Sequence, residues 1–322
     1  MRRIAVLTSG GDAPGMNAAI RAVVRSADAA GLEPLGVHQG FEGLIAGRLE
    51  PMDARSVSGI LHLGGTMLGS ARSPRFRTTD GRAEALKHLD LAEVEGLVVI
   101  GGDGSFRGAD ALSREGSVRV VGIPGTIDND LSGSDFTLGF DTAVNTALEL
   151  VDRIRDTAAS HGRLFFVEVM GRRAGWISLY TALATGGTEA LVPERPTDVA
   201  RLRQRVQRSF ELGKRFCLVI VAEGDDAGGA YEVAERVCEG TDIDYRVTTL
   251  GHVQRGGSPT MRDRVLAAIL GDAAVGALAE GADRVMVGQR RGEVVRTPLE
   301  QTWTHIDRPP QQLLNLMDRL AR

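Results

Sequence analysis

The sequence predicts an α/β protein with a largely parallel sheet, followed by a second α/β unit. Three observations predict it. Short aliphatic runs that end in glycine-rich loops and lead into helices recur at 3–15, 96–105 and 118–130. The order strand, polar loop, helix, strand is that of βαβ units, whose strands lie parallel. The chain is 43% hydrophobic but only 4% aromatic, so its core is built from Val, Leu, Ile and Ala, which suits a sheet buried on both faces. A second strand–helix alternation begins near residue 140, and 322 residues leave room for about two domains.

Residues 3–8 (RIAVLT) read as a buried strand ending in the loop SGGDAPG, with a helix over about 15–30 closed by Gly31 and a strand near 33–38. GLVVIGGDGS gives a strand at 96–100, a glycine-rich turn and a helix; VRVVGIPGTIDND gives a strand near 118–123. A helix capped by Asp141 follows, with Val144, Leu148, Val151 and Ile154 at helical spacing. Strands are expected at 164–171 and 216–224, and helices at 176–185 and 201–211, the last with Leu202, Val206 and Phe210 inward. The glycines of LGHVQRGGSP (250–259) mark a return to the first domain. In parallel sheets ligands sit at the carboxyl ends of the strands, so the loops at Gly10, Gly101 and Gly125 fall on one edge.

Composition narrows the function. A net charge of −4 and a pI of about 5.9 lack the basic excess of a nucleic-acid binder. Cys217 and Cys238 match no metal or redox spacing and read as free thiols in a reducing compartment. The apolar run after MRR is too short for a signal peptide, and no stretch approaches a membrane span; the chain reads as cytoplasmic. Lysine occurs only at Lys87 and Lys214, so no glycine loop carries one.

The loops carry the chemistry. In GGDGS (101–105) glycines let backbone N–H groups turn to an anion at a helix N-terminus. An aspartate there repels a bare phosphate but suits Mg²⁺ bridging carboxylate and phosphate. The same loop serves equally well as a strand-to-helix turn with an N-capping aspartate. There is no G-x-x-x-x-G-K-[ST] in the chain and no G-x-G-x-x-G in this loop. TSGGDAPGMNAA (8–19) is a second candidate phosphate cradle, and GGTMLGSARSPRFR (64–77) places Arg72, Arg75 and Arg77 beside small residues. Such a charge run is ordinarily solvated, yet phosphoryl transfer without a loop lysine needs another cation, and arginine fits. Thr126, Asp128 and Asp130 follow the third loop; a carboxylate there could take the proton of an attacking hydroxyl. MGRRAG (170–175), VAEG with Glu223, and GHVQRGGSP with His252 and Arg255 add groups that could grip a sugar phosphate; His252 alone reads as a loop histidine.

Together these motifs closely resemble the ATP-dependent 6-phosphofructokinases of the bacterial type. The resemblance is near full-length, from LTSGGDAPGMNAAIR through GGTMLGSAR, VVIGGDGS, PGTIDND, VEVMGR and VAEG to LGHVQRGGSP. GGDG is shared with NAD and lipid kinases; PGTIDND with LGHVQRGGSP is far more specific. The resemblance implies two stacked α/β/α sandwich domains with the active site in the cleft between them. Residues 1–139 plus about 252–300 would bind the nucleotide, and about 140–251 plus 301–322 the sugar phosphate. It implies transfer of the γ-phosphoryl of MgATP to the 1-hydroxyl of fructose 6-phosphate, with Asp128 as general base and Thr126, Arg72, Gly11 and Arg172 at the reacting centre. Asp103 matches the Mg²⁺-associated carboxylate, with Gly102, Gly104, Ser105 and Ser73 on the nucleotide. Met170, Gly171, Arg172, Glu223, His252 and Arg255 match sugar-phosphate contacts. Arg163 and Arg246 match arginines supplied by a neighbouring subunit, which implies a homo-oligomer, a tetramer in this family.

Two further expectations follow from the resemblance. The pyrophosphate-dependent branch has an aspartate where this chain has Gly104 and a lysine where it has Gly125, so ATP is the expected donor and pyrophosphate the alternative. Arg21, Arg25, Arg155, Glu189 and Lys214 fit an effector site for ADP or phosphoenolpyruvate. Ala54 and Leu212 stand where a relative has arginine and lysine, and the chain near Thr185 is one residue longer, so altered or weakened allostery is expected. A non-catalytic sugar-phosphate-sensing subunit would be expected to lose the acid at Asp128 or Asp103, and both are present.

Overall fold

The computed structural model describes residues 1–161 and 163–321. Residues 162 and 322, both inside the expected second domain, lie outside the described residues. The strands, in chain order, are β1 (Arg3–Thr8), β2 (Glu33–Val37), β3 (Leu49–Pro51), β4 (Gly96–Gly101), β5 (Arg119–Thr126), β6 (Leu138–Gly139), β7 (Leu164–Val169), β8 (Glu189–Leu191), β9 (Cys217–Ala222), β10 (Tyr245–Thr249), β11 (Val285–Arg290) and β12 (Glu293–Pro298). The chain divides into two compact units. The first holds Met1–Ile127, Leu131–Thr142 and Arg255–Ile306; the second holds Asp128–Asp130, Ala143–Gln254 and Asp307–Arg322.

The first unit is built on a sheet ordered β12-β11-β5-β4-β1-β2-β3, with β6 added to the end of β5. Its inner pairs are parallel, and only the edge pairs β2–β3 and β11–β12 run antiparallel. Ile4 to Leu7 and Leu97 to Ile100 are fully buried, as the unbroken aliphatic runs require of strands covered on both faces. Each Val, Leu or Ile among them contributes roughly 1.5–3 kcal/mol of burial. Helices Met16–Ala29 and Met261–Ala279 pack so closely that a Cβ on Gly271 would lie 2.4 Å from that of Ala22. From β1 the sheet continues to β2 on one side and to β4 on the other. The loops after β1 and β4 therefore flank a switch point in strand order, where such sheets open a crevice for ligands.

The second unit is built on a parallel sheet ordered β10-β7-β9-β8. Its core gathers Leu164, Phe166, Val219 and Val221 with Leu202, Val206 and Val233 from the flanking helices. Helix Val199–Glu211 buries Leu202 and Val206, while Phe210 is only half buried against this core. The helix expected to start with Asp141 as its cap begins at Phe140, and Asp141 lies in its first turn. Among the described residues no helix is long and apolar enough to cross a membrane.

Candidate active site

In the first unit three loops gather at the carboxyl edge of the sheet. Leu7 is in register with Val99, and Gly101 with Pro124, so β1, β4 and β5 end side by side. Ser9 N–H donates to the Ile100 carbonyl at 3.0 Å. A Cβ on Gly101 would lie 2.6 Å from both Ser9 O and Ser105 Oγ, and one on Gly102 3.7 Å from Thr126 Cβ. Gly10, Gly11, Gly102, Ser105 and Thr126 thus share one edge. The segment 64–77 is tied to it: Ser70 donates to Gly10 O at 2.6 Å, and the Thr8 hydroxyl donates to Gly69 O at 2.9 Å. Arg72, which is exposed, follows this Ser70 anchor closely in the chain. Ser73 is engaged internally, donating to Glu42 and accepting from Phe76 N–H.

Asp103 opens helix Asp103–Glu115 but is not its cap; that position is Gly102, and no side chain closes the turn. Instead Asp103 pairs with Arg107 one turn on. Among the described residues no group of three acids, histidines or cysteines could hold a metal by itself. A single part-exposed carboxylate at a helix N-terminus fits a Mg²⁺ that arrives on nucleotide phosphates, because Mg²⁺ keeps waters and takes one or two protein carboxylates. Around Gly104 the space is open, with nothing within 4 Å of an added Cβ. Gly125 is different: a Cβ there would meet Ile100 and Met16 at 3.0 and 3.1 Å. Its smallness serves core packing in this structure, whereas that of Gly104 leaves clear volume. Arg255 joins this unit, its Nη1 donating to Asp12 O at 3.3 Å and lying 2.3 Å from a Cβ on Gly11.

In the second unit a separate cluster forms. β7 and β9 end side by side, Val169 opposite Ala222. Beyond them Glu223 Oε1 accepts Arg172 N–H at 2.8 Å and Gly171 N–H at 3.3 Å. Gly171 has φ +142, and a Cβ there would strike Ala174 O at 2.5 Å, so only glycine fits. Arg172 also has a positive φ, 53°, and the strained turn directs its guanidinium to two acids: Nε is 3.9 Å from Asp128 Oδ2 and Nη1 3.6 Å from Asp130 Oδ2. Asp128 is 2% exposed. Met170 N–H donates to Gln254, which is fully buried; His252 is exposed in the same short turn.

Arg163 and Arg246 stand apart from this cluster. Both pair with Asp244, at 3.0 and 2.5 Å. Tyr245 is opposite Leu164, so the pair sits at the amino ends of β10 and β7, while Met170 to Arg172 follow the carboxyl end of β7. The strand between them is roughly 20 Å long. The effector candidates divide between the two units. Arg21 and Arg25 lie on the first unit's helix Met16–Ala29; Arg155, Glu189 and Lys214 belong to the second. Among the described residues Arg155 has an Asp152 carboxylate at 3.7 Å, and its Nε and Nη2 make no hydrogen bond. Glu189 is 6% exposed, and its two oxygens accept from Arg195 at 2.8 Å and Arg205 at 2.6 Å. Burial raises its carboxyl above the usual range despite those arginines.

Sequence reasoning missed four groups that organise these loops: Gln254, Asp244, Asp263, and Glu223 in its role as a loop clamp. Asp263 had a readable signal. It falls on the apolar stripe of its helix with Leu266, Ala267, Leu270 and Ala274, where an acid must find partners.

Comparison with known proteins gives a consistent result. The family model described as phosphofructokinase matches residues 3–278. The chain is 54% identical over 321 residues, covering all of both chains, to ATP-dependent 6-phosphofructokinase 1 of Thermus thermophilus. It is 47% identical over 324 residues, again covering both chains, to ATP-dependent 6-phosphofructokinase of Shouchella clausii. Among solved structures it is similar to phosphofructokinase from Saccharomyces cerevisiae, with a TM-score of 0.88 and 37% identity; the match covers 99% of this chain and 46% of that one.

Proposed function

Because the chain belongs to the phosphofructokinase family, we propose that it transfers the γ-phosphoryl of ATP to the 1-hydroxyl of fructose 6-phosphate. The observation that carries the reading is the buried Asp128 with the Arg172 guanidinium at 3.9 Å, in the segment that directly continues the phosphate-side strand β5. Asp128 accepts the proton of the 1-hydroxyl as that oxygen attacks the γ-phosphorus in line. The bond from phosphorus to the β-phosphate bridging oxygen breaks, and ADP leaves. Arg172 fixes the direction of Asp128 and Asp130. The Gly11 amide and Arg72 face the transferring phosphoryl, with Thr126 beside it. Gly102, Asp103, Gly104, Ser105 and Ser73 hold the nucleotide. Mg²⁺ on the nucleotide would neutralise phosphate charge, with Asp103 as its protein carboxylate.

Met170, Gly171, Glu223, His252 and Arg255 hold the sugar phosphate. Glu223 has one oxygen committed to the Gly171–Arg172 turn, which leaves the other for a sugar hydroxyl. Arg163 and Arg246 lie at the far end of β7 and so cannot reach the ligand held beyond its carboxyl end. A second copy of the chain that supplies them accounts for their place, and supports a homo-oligomer with shared sites. The open volume at Gly104 favours ATP over pyrophosphate. The test is a coupled assay of fructose 6-phosphate with Mg²⁺ and either donor. Turnover with ATP and none with pyrophosphate is expected; the reverse would overturn the donor assignment. Effector control by ADP or phosphoenolpyruvate is expected to be weak, because Glu189 is already taken by Arg195 and Arg205. Sigmoidal sugar-phosphate kinetics strongly relieved by ADP would contradict that.

A further inference from the structure

The carboxylate of Asp263 is 1% exposed, and the phosphoryl transfer outlined above makes no use of it. Its Oδ1 accepts Gly139 N–H at 2.9 Å; its Oδ2 accepts Thr142 N–H at 2.9 Å and the Thr142 hydroxyl. These donors open helix Phe140–His161, so an acid on one helix caps another. Thr260 reinforces the turn, its hydroxyl donating to Asp141 at 2.7 Å and its N–H to Thr142 Oγ1 at 3.0 Å.

The turn held in this way is where the site-bearing segments of the first unit meet. Gly139 has φ +97, and a Cβ there would lie 2.8 Å from Ala13, 3.1 Å from Pro14 and 3.2 Å from Ile127. A Cβ on Gly15 would touch Asp263 Cβ at 3.6 Å and Leu138 Cβ at 3.8 Å. Leu138 and Gly139 pair with Gly125 and Thr126, and the Thr137 hydroxyl donates to Thr126 O at 2.6 Å. One knot therefore joins the loop that carries Gly11, the strand end that carries Thr126, and the segment that runs from Arg255 to Asp263.

We propose that Asp263 is a positioning residue, whose buried carboxylate sets the Gly139–Thr142 turn and through it the mutual placement of Gly11, Thr126 and Arg255. The proposal rests on the phosphotransfer reading for its effect on rate, and on contacts alone for its effect on loop order. A carboxylate accepts all three bonds with charge assistance. An amide of the same shape accepts on one oxygen and turns an N–H₂ toward a backbone donor. A displacement of about 1 Å in reacting groups can cost about 100-fold in rate.

The experiment compares wild type with Asp263→Asn, Thr142→Val and Thr142→Ser in the full chain, well below melting. It reads kcat, both KM values and amide hydrogen exchange. Expected are a kcat lower by about 10-fold or more for Asp263→Asn, with KM for ATP changed less than about threefold. Thr142→Val shifts kcat the same way and Thr142→Ser keeps it. Exchange quickens at 11–15 and 125–127 while the central strands stay protected. Wild-type kcat and exchange in Asp263→Asn, or equal losses in Thr142→Val and Thr142→Ser, would overturn the proposal. If Asp263→Asn does not fold, the Thr142 pair decides. A wild type inactive on fructose 6-phosphate would refute the functional reading, and exchange would still decide on Asp263.

Discussion

Two glycines in the nucleotide loops have opposite consequences when replaced. Gly104 sits in the first helical turn with nothing near an added Cβ. Gly104→Ala should therefore stabilise the fold by about 0.5–1 kcal/mol, the usual helical gain, while raising KM for ATP. A melt and a donor titration check both, and an unchanged KM would remove Gly104 from the phosphate path. Gly11→Ala puts a Cβ 2.3 Å from Arg255 Nη1 and must displace that guanidinium. At this scale the sequence was informative because glycine, proline and acid at strand ends report backbone needs directly. It was silent on the positive φ of Arg172, whose N–H Glu223 accepts, and on Gln254, because both depend on partners distant in sequence. The two buried thiols were legible as free. Burial pushes Cys238 from 9.0 up to about 11. The neutral thiol is favoured in the folded state, so its contribution is complete below pH 9.0 and is lost as pH rises through about 11. Alkylation of the native protein at neutral pH should be far slower than after unfolding.

Elements were read well where a period ran unbroken. β1, β4 and helix Trp176–Thr185 need no tertiary help to be seen. The short strand β8, helix Gly40–Ile45 and the β11–β12 hairpin were not seen, since each is brief or half polar and depends on neighbours for burial. The start of helix Phe140–His161 was misplaced because its cap comes from elsewhere, and two other helix starts also lean on distant acids. Asp263 caps the helix at Phe140, Glu168 accepts Ala230 N–H at 2.8 Å, and Glu194 accepts Gly175 N–H at 2.9 Å. No local pattern records such caps. The same remoteness governs Glu189, which with Arg195, Arg205 and Asp318 binds β8 to the C-terminal helix Gln311–Leu320. Glu189→Ala would leave two part-exposed arginines with Asp318 as their remaining acid and should cost about 1–3 kcal/mol, measured by urea unfolding. A loss under about 1 kcal/mol would show that the arginines re-pair with Asp318 alone.

For the whole molecule the account requires two sets of groups that one chain holds at opposite ends of β7. If a second copy completes each site, chains inactivated at Asp128 and chains inactivated at Arg246 should regain activity when refolded together. No recovery would argue that each chain works by itself. The deepest claim remains chemical: Asp128 takes the proton of the sugar hydroxyl. The most direct measurement is kcat of Asp128→Ser at saturating fructose 6-phosphate and MgATP. The account predicts a fall of about 10²–10⁴, the usual worth of a general base, with modest change in KM; turnover near that of the wild type would contradict it.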